Sequence, residues 1–307
     1  MNRRADSAPV LALDIGGTYV RAAVWRSSEL TRSMRELWPQ GLTAERELAF
    51  ALDTAARVAN DEVVAGIGIS HAALVDASGI VVTWPNRPAW AGLPLGDAFR
   101  QRFGVPTFLE DDANAGALAE CALGAARGFR YVLVATVGTG IGAGVVLDGQ
   151  LYRGAHRWAG EMGHLVVDPK GPPCPCGRNG CLQVLASGRA LEVVARRHGL
   201  EGTGELLAAA GKGEPWAIEE VDASARRVAM VIANVVKLLD LEIVIVGGGV
   251  AENDVWWEML QTSMARARPP QESDSILVRR AELGNEACLL GAATIAAKAI
   301  STEGPQP

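Results

Sequence analysis

Leu11-Ala12-Leu13-Asp14-Ile15-Gly16-Gly17-Thr18-Tyr19-Val20-Arg21-Ala22-Ala23-Val24-Trp25 reads as two apolar strands joined by a tight glycine turn. The pattern returns between Tyr131 and Leu147, where the turn is Thr136-Val137-Gly138-Thr139-Gly140. Apolar runs on either side of such a turn are the signature of a hairpin. Glycine admits positive φ and lets a backbone approach a ligand closely. One such turn is weak evidence, because many hairpins are rich in glycine. Two of them, each at the head of a predicted lobe, point to two related α/β domains facing one cleft.

Between and after the repeats the chain alternates. Glu45 to Asn60 has helical spacing, Val63 to Ser70 is a buried strand and Ile80 to Thr83 a short one. Thr107 to Leu109 is a strand that meets an Ala-rich helix, Asp112 to Ala126. Further helices are predicted over Arg189–His198, Val221–Leu239 and Leu289–Ile300, and a strand over Glu242–Val246 enters Gly247-Gly248-Gly249. Strands alternating with helices imply an α/β architecture. Ser301 to Pro307 reads as a disordered tail.

The bulk properties narrow the function classes. The chain has 307 residues, enough for two domains, with about half its residues apolar. A net charge of −6 argues against nucleic acid or an anionic membrane as the main partner, since both reward clustered Lys and Arg. The basic start Met1-Asn2-Arg3-Arg4 is followed by an apolar run that Asp14 and two glycines stop, so no signal peptide fits. No run of 18 apolar residues occurs, and a cytoplasmic location is expected. Of five cysteines, Cys121 and Cys288 are isolated and read as buried bystanders. The other three fall within eight residues, which in a reducing compartment suggests a metal site.

The chemistry-bearing motifs each have a plain alternative. Asp14-Ile15-Gly16-Gly17-Thr18 sets a carboxylate, amide-rich backbone and a hydroxyl at a strand end, a phosphate cradle in which Asp14 holds Mg²⁺, or an ordinary hairpin. Gly138, Thr139 and Gly140 offer either a second phosphate turn or an ordinary hairpin; strand residues follow them, so this is no dinucleotide fingerprint. Gly247 and Gly248 leave room for a flat adenosine. Asp111 and Asp112, within Glu110-Asp111-Asp112-Ala113-Asn114, sit where a strand meets a helix. There a carboxylate can take a hydroxyl proton, or merely cap the helix. His164 with Cys174, Cys176 and Cys181 makes the Cys₃His set of a structural zinc, closed to a catalytic water, or else a reduced cysteine-rich loop with incidental spacing. Trp84 and Trp90 flank Pro85-Asn86-Arg87-Pro88 and either stack on a sugar ring or fill core. His156 and His198 read as a loop residue and a helix end.

Together these motifs resemble the ROK family of bacterial sugar kinases and repressors, in the actin-like ATPase superfamily, over Leu11 to Ile300. The residues that carry the likeness are Asp14-Ile15-Gly16-Gly17-Thr18, Asp-Ala-Asn at 112–114, Gly138-Thr139-Gly140, Glu161-Met162-Gly163-His164 and the CxCGxxGC run ending at Cys181. The resemblance implies a two-lobed, duplicated ribonuclease H-like fold with a nucleotide and sugar cleft. It implies ATP and Mg²⁺ at the glycine turns, Zn²⁺ as a brace, and Asp112 as catalytic base. Asn86, Asp111, Glu161, His164 and Gln183 would bind the sugar, normally phosphorylated on its 6-hydroxyl, and the protein would be a homodimer. Residues 1–115 with 289–307 would form the smaller domain and 116–288 the larger. Repressors of the family carry an N-terminal DNA-binding domain, for which thirteen residues before Asp14 are too few. Intact ATP turns speak against a sugar sensor without activity.

Three positions depart from the family pattern. Asp111 stands where Asn is usual, Gln183 where Glu is usual, and His71-Ala72-Ala73 where a glycine turn is usual. All three are expected near the sugar. Exchanging donors and charges there changes which hydroxyls are matched. An altered substrate, a cyclitol or modified hexose, is therefore set against ordinary glucokinase activity.

Overall fold

A computed structural model describes residues 9–267 and 277–303. Met1–Arg4 and the last four residues of the expected tail lie outside the described residues. The chain divides into two units: one runs up to Ala119 and resumes at Glu286, and the other is Glu120–Asn285.

The first unit begins with β1 (Val10–Ile15), β2 (Tyr19–Arg26) and β3 (Glu29–Leu37), followed by α1 (Ala44–Ala59). Then come β4 (Gly66–His71), a small ribbon of β5 (Leu74–Val75) and β6 (Val81–Thr83), α2 (Leu95–Phe103), β7 (Thr107–Asp111) and α3 (Asp112–Leu123). Its main sheet has the order β3-β2-β1-β4-β7. The three strands at the β3 edge are antiparallel, whereas β4 and β7 run parallel to β1. β1 is buried along its whole length, as the unbroken apolar run requires of a central strand. Leu48, Ala51, Ala55 and Val58 form the buried stripe of α1 against this sheet.

The second unit holds β8 (Val132–Val137), β9 (Ile141–Leu147), β10 (Gln150–Leu151), α4 (Leu182–Ala186), α5 (Gly188–Arg197), α6 (Thr203–Gly211) and α7 (Pro215–Leu239). It closes with β11 (Ile243–Gly247), α8 (Asp254–Ala267) and β12 (Leu277–Arg280). Its sheet order is β10-β9-β8-β11-β12, again three antiparallel strands followed by two parallel additions. The sequence repeat is thus a repeat of topology. Trp256, at the centre of this core, donates its indole N–H to Ser224 Oγ at 3.1 Å. The last helix, α9 (Ala287–Glu303), returns to the first unit and packs on β4 and β1.

Several boundaries differ from expectation. α7 starts at Pro215 instead of Val221, because proline suits the first helical turn, where its missing N–H costs nothing. Ser301–Glu303, expected in the tail, continue α9. The edge strand β3 and the helices α2, α4, α6 and α8 have no counterpart among the expected elements. The unit boundary at Ala119 falls inside the continuous helix α3, where composition does not change. Among the described residues no helix is long and apolar enough to cross a membrane.

Candidate functional site

Strand register places the first group of residues. Ile15 on β1 pairs with His71 on β4, and His71 pairs with Asp111 on β7. The carboxyl ends of three parallel strands therefore stop in one row, the edge at which open α/β sheets take ligands. The turn Gly16-Gly17-Thr18 leaves from one strand of that row and Asp112 from another. Asn86 reaches the same turn: a Cβ on Gly17 would stand 3.1 Å from Asn86 Nδ2. His71 is buried, with Nδ1 2.9 Å from the carbonyl of Ala73.

Asp14 faces Arg21 across the hairpin, and Arg21 Nε donates to Asp14 Oδ2 at 2.9 Å. The carboxylate foreseen for Mg²⁺ is thus held by a guanidinium in this structure. Asp111 caps α3, its Oδ1 accepting from the N–H of Ala113 at 3.0 Å and of Asn114 at 3.4 Å. Asp112 opens the helix, where the positive end of the helix dipole favours a carboxylate. Below them Glu110 is buried, and Asn114 Nδ2 donates to its Oε1 at 3.1 Å. Glu110 and Asp111 belong to β7, two residues beyond the expected strand end.

Cys288 Sγ lies 3.6 Å from the carbonyl oxygen of Asp112. Burial pushes this thiol well above its ordinary pKa, and the negative charges of Asp14 and Asp112 add to the effect. As whole residues, Cys121 and Cys288, both expected to be buried, are partly exposed. Trp84 and Trp90 are core, at 1% and 0% exposure, and meet edge to face at 5.0 Å, so neither offers a ring face to a sugar. His198 follows the last residue of α5 and stacks on Trp216 at 3.9 Å, while His156 is an exposed loop residue.

In the second unit β11 pairs with β8 so that Gly247 stands beside Thr136, and the glycine pair 247–248 shares an edge with the Gly138-Thr139-Gly140 turn. Gly248 has φ +93°, and a Cβ there would lie 2.6 Å from the carbonyl oxygen of Val137. Only glycine allows the strand end to close on the turn in this way. A Cβ on Gly188, at the start of α5, would lie 2.8 Å from the carbonyl oxygen of Gly138.

The ligand atoms of His164, Cys174, Cys176 and Cys181 all lie within 4.8 Å of one another. Cys174 Sγ is 3.6 Å from His164 Nδ1, and Cys176 Sγ is 3.6 Å from Cys181 Sγ. A tetrahedron with metal–sulfur bonds of ~2.3 Å has edges of about 3.7 Å, so the cluster fits Zn²⁺. The N–H of Arg178 draws the Cys176 thiol down to about 6, while burial pushes Cys181 up to about 12. A divalent cation would let all three sulfurs bind as thiolates. Gln183 lies between this cluster and the second turn: its Nε2 donates to Cys174 Sγ at 3.5 Å, and its Oε1 is 3.5 Å from where a Gly140 Cβ would sit. Glu161 Oε2 is 3.9 Å from His164 Nε2.

Two sheets of one topology, each carrying a glycine turn between its first two strands, define the duplicated α/β fold of the actin-like ATPases. The ROK family model matches residues 10–299, and the chain belongs to that family. A kanosamine kinase of Amycolatopsis mediterranei is 36% identical over 246 residues, covering 78% of this chain and 80% of the relative. The crystal structure of a ROK hexokinase from Thermus thermophilus superposes with a TM-score of 0.86 at 38% identity, covering 96% of this chain and 100% of that one. A ROK family glucokinase from Streptomyces griseus, solved with glucose and AMPPNP, gives a TM-score of 0.80 at 30% identity, covering 94% of this chain and 99% of that one.

Proposed function

We propose that this chain is an ATP-dependent carbohydrate kinase that phosphorylates the 6-hydroxyl, or the equivalent primary hydroxyl, of a hexose or hexose-like polyol. The observation that carries the proposal is the placement of Asp112. It opens α3 at the sheet edge from which the first glycine turn also leaves. The similarity to a glucokinase solved with glucose and AMPPNP supports the same reading.

In the reaction the sugar oxygen attacks the γ-phosphorus of ATP, the bond from that phosphorus to the β-phosphate oxygen breaks, and ADP leaves. The transition state is loose, so the protein mainly positions groups and stabilises charge. Asp112 orients the hydroxyl and takes its proton late. Asn86 and Asp111 in the first unit, and Glu161, His164 and Gln183 in the second, are the proposed sugar ligands. The backbone of Gly16, Gly17 and Thr18, and that of Gly138, Thr139 and Gly140, holds phosphate oxygens. Gly247 and Gly248 make room for adenosine. Mg²⁺, held at Asp14 directly or through water, would neutralise phosphate charge. Zn²⁺ on His164, Cys174, Cys176 and Cys181 would brace the loop that carries Glu161. A cytoplasmic homodimer completes the proposal.

A second reading concerns the substrate. Asp111 adds a carboxylate beside Asp112 where β7 meets α3. Such a field favours a cationic ligand, and the relative named kanosamine kinase acts on an amino sugar by its name. A protonated amino hexose therefore stands beside a cyclitol as the modified substrate. Sugar-dependent ADP release measured over glucose, amino hexoses, N-acetylhexosamines and C7-cyclitols tests both readings. Strong preference for glucose would remove the modified-substrate reading. No ADP release with any of them would remove the kinase.

A further inference from the structure

The two glycine turns are held from behind at the same successive carbonyls, by different means. In the second unit the Gly138 carbonyl accepts from the backbone N–H of Gly188 at 2.7 Å and the Thr139 carbonyl from that of Arg189 at 3.3 Å. In the first unit the matching carbonyls have side-chain donors. Trp38 Nε1 donates to Gly16 O at 2.8 Å, and an Arg87 terminal nitrogen donates to Gly17 O at 3.0 Å. The backbone N–H of Trp38 adds a third bond, to Thr18 O at 3.2 Å.

A trans peptide is planar, so fixing one residue's C=O fixes the next residue's N–H in the opposite direction. Bonds to the carbonyls of Gly16 and Gly17 therefore aim the N–H groups of Gly17 and Thr18 away from Trp38 and Arg87. Among the described residues, no hydrogen-bond partner is seen for these two N–H groups. Without such restraint a Gly-Gly peptide can rotate and present its oxygen instead, which would repel a phosphate.

The donors are themselves locked. Arg87 is ion-paired with Glu47, and both side chains are largely buried, at 14% and 13% exposure. The other oxygen of Glu47 accepts from Trp90 Nε1 at 2.6 Å. The guanidinium lies 4.3 Å over the Trp38 ring, and Trp90 meets Trp38 edge to face at 5.6 Å. Cation–π and aromatic contacts of this kind hold a side chain in one orientation.

We infer that Trp38 and Arg87, oriented by Glu47 and Trp90, are positioning residues that set the peptide orientation of the first phosphate turn. The second unit achieves the same with backbone alone. The inference rests on the kinase reading for its consequence in turnover, but not for its consequence in nucleotide binding.

Two conservative variants test it. W38F keeps an aromatic ring but removes the indole N–H together with the five-membered part of the ring system. R87K keeps the charge opposite Glu47 but cannot serve Glu47 and Gly17 with the same geometry. Each is expected to lower affinity for magnesium–AMPPNP about tenfold by calorimetry, the scale of one well-placed hydrogen bond. kcat/KM for ATP should fall by a similar factor, while KM for the sugar stays near that of the parent. W38F also lowers the melting temperature, because Trp38 is buried, so the affinity of the folded protein is the deciding readout. A purely structural role would lower the melting temperature and leave the affinity of the folded fraction unchanged. Parental AMPPNP affinity in both variants overturns the inference, whether or not any sugar is turned over. A parent that binds AMPPNP but phosphorylates no sugar removes the kinase reading alone, and the affinity ratios still decide the inference. A parent that does not bind AMPPNP removes both.

Discussion

His164 Nδ1 lies 3.6 Å from Cys174 Sγ, while its other ring nitrogen, Nε2, is 3.9 Å from Glu161 Oε2. One imidazole thus joins the thiol cluster to a proposed sugar ligand. A cation bound at Nδ1 would leave the proton on Nε2 and fix the ring as a donor toward the Glu161 side. Removing the cluster should therefore alter sugar binding as well as stability. Cys176→Ser is expected to reduce zinc from about one ion per chain, lower the melting temperature by ~5 °C or more, and raise KM for the sugar. Full zinc content in the variant, by metal analysis, would contradict the assignment.

Asp112→Asn keeps shape and hydrogen bonding at the start of α3 but removes the base. General-base catalysis contributes about 10²–10⁴-fold, and kcat should fall by that order. The loss of a charge near the helix N-terminus is worth ~0.3–1 kcal/mol, so the fold should be little affected. Near-normal turnover by a coupled ADP assay would refute the role.

Gln183 donates to Cys174 Sγ. Gln183→Ala removes that donor and leaves the Cys174 sulfur without this contact. Outer-shell changes of this kind typically cost about 10–100-fold in metal affinity. Competition with a chelator should strip zinc from the variant at correspondingly lower concentrations. Identical stripping curves for parent and variant would show that the contact has no such effect.

The Cys288 thiol is raised well above its ordinary pKa by burial and by Asp14 and Asp112. An unfolded cysteine ionises near about 8.5, whereas the folded one keeps its proton. The unfolded state therefore binds fewer protons above that pH, and stability falls as pH rises, by at most about 1.4 kcal/mol per pH unit from this group. Below pH ~8 the contribution is complete. Cys288→Ala should flatten the decline between pH ~8.5 and 10, measured by urea unfolding. A slope unchanged in the variant would assign the decline to other groups.

The repeated hairpins, the thiol cluster and the Asp-Ala-Asn start of α3 were legible because each is local. A strand–glycine–strand run, a CxCGxxGC spacing and an acid ahead of an Ala-rich helix carry their chemistry within a dozen residues. The edge strand β3 was not, since Glu29–Leu37 mixes charges along a half-exposed face and owes its place to pairing with β2. The roles of Trp84 and Trp90 stayed open for the same reason: burial depends on what packs against a ring, and their partners come from other segments.

From its own order of residues, then, this chain determined its family, its alternation of strands and helices, its cluster of one histidine and three cysteines and the acid pair ahead of α3. Only the tertiary structure decided that Ile15, His71 and Asp111 end in one row, that Cys288 lies against Asp112, and that Trp38 and Arg87 stand behind the first turn. The physical reason is range. Periodicity and spacing record contacts among near neighbours, whereas register, burial and hydrogen bonds between residues 70 or 176 positions apart exist only once the sheet has formed.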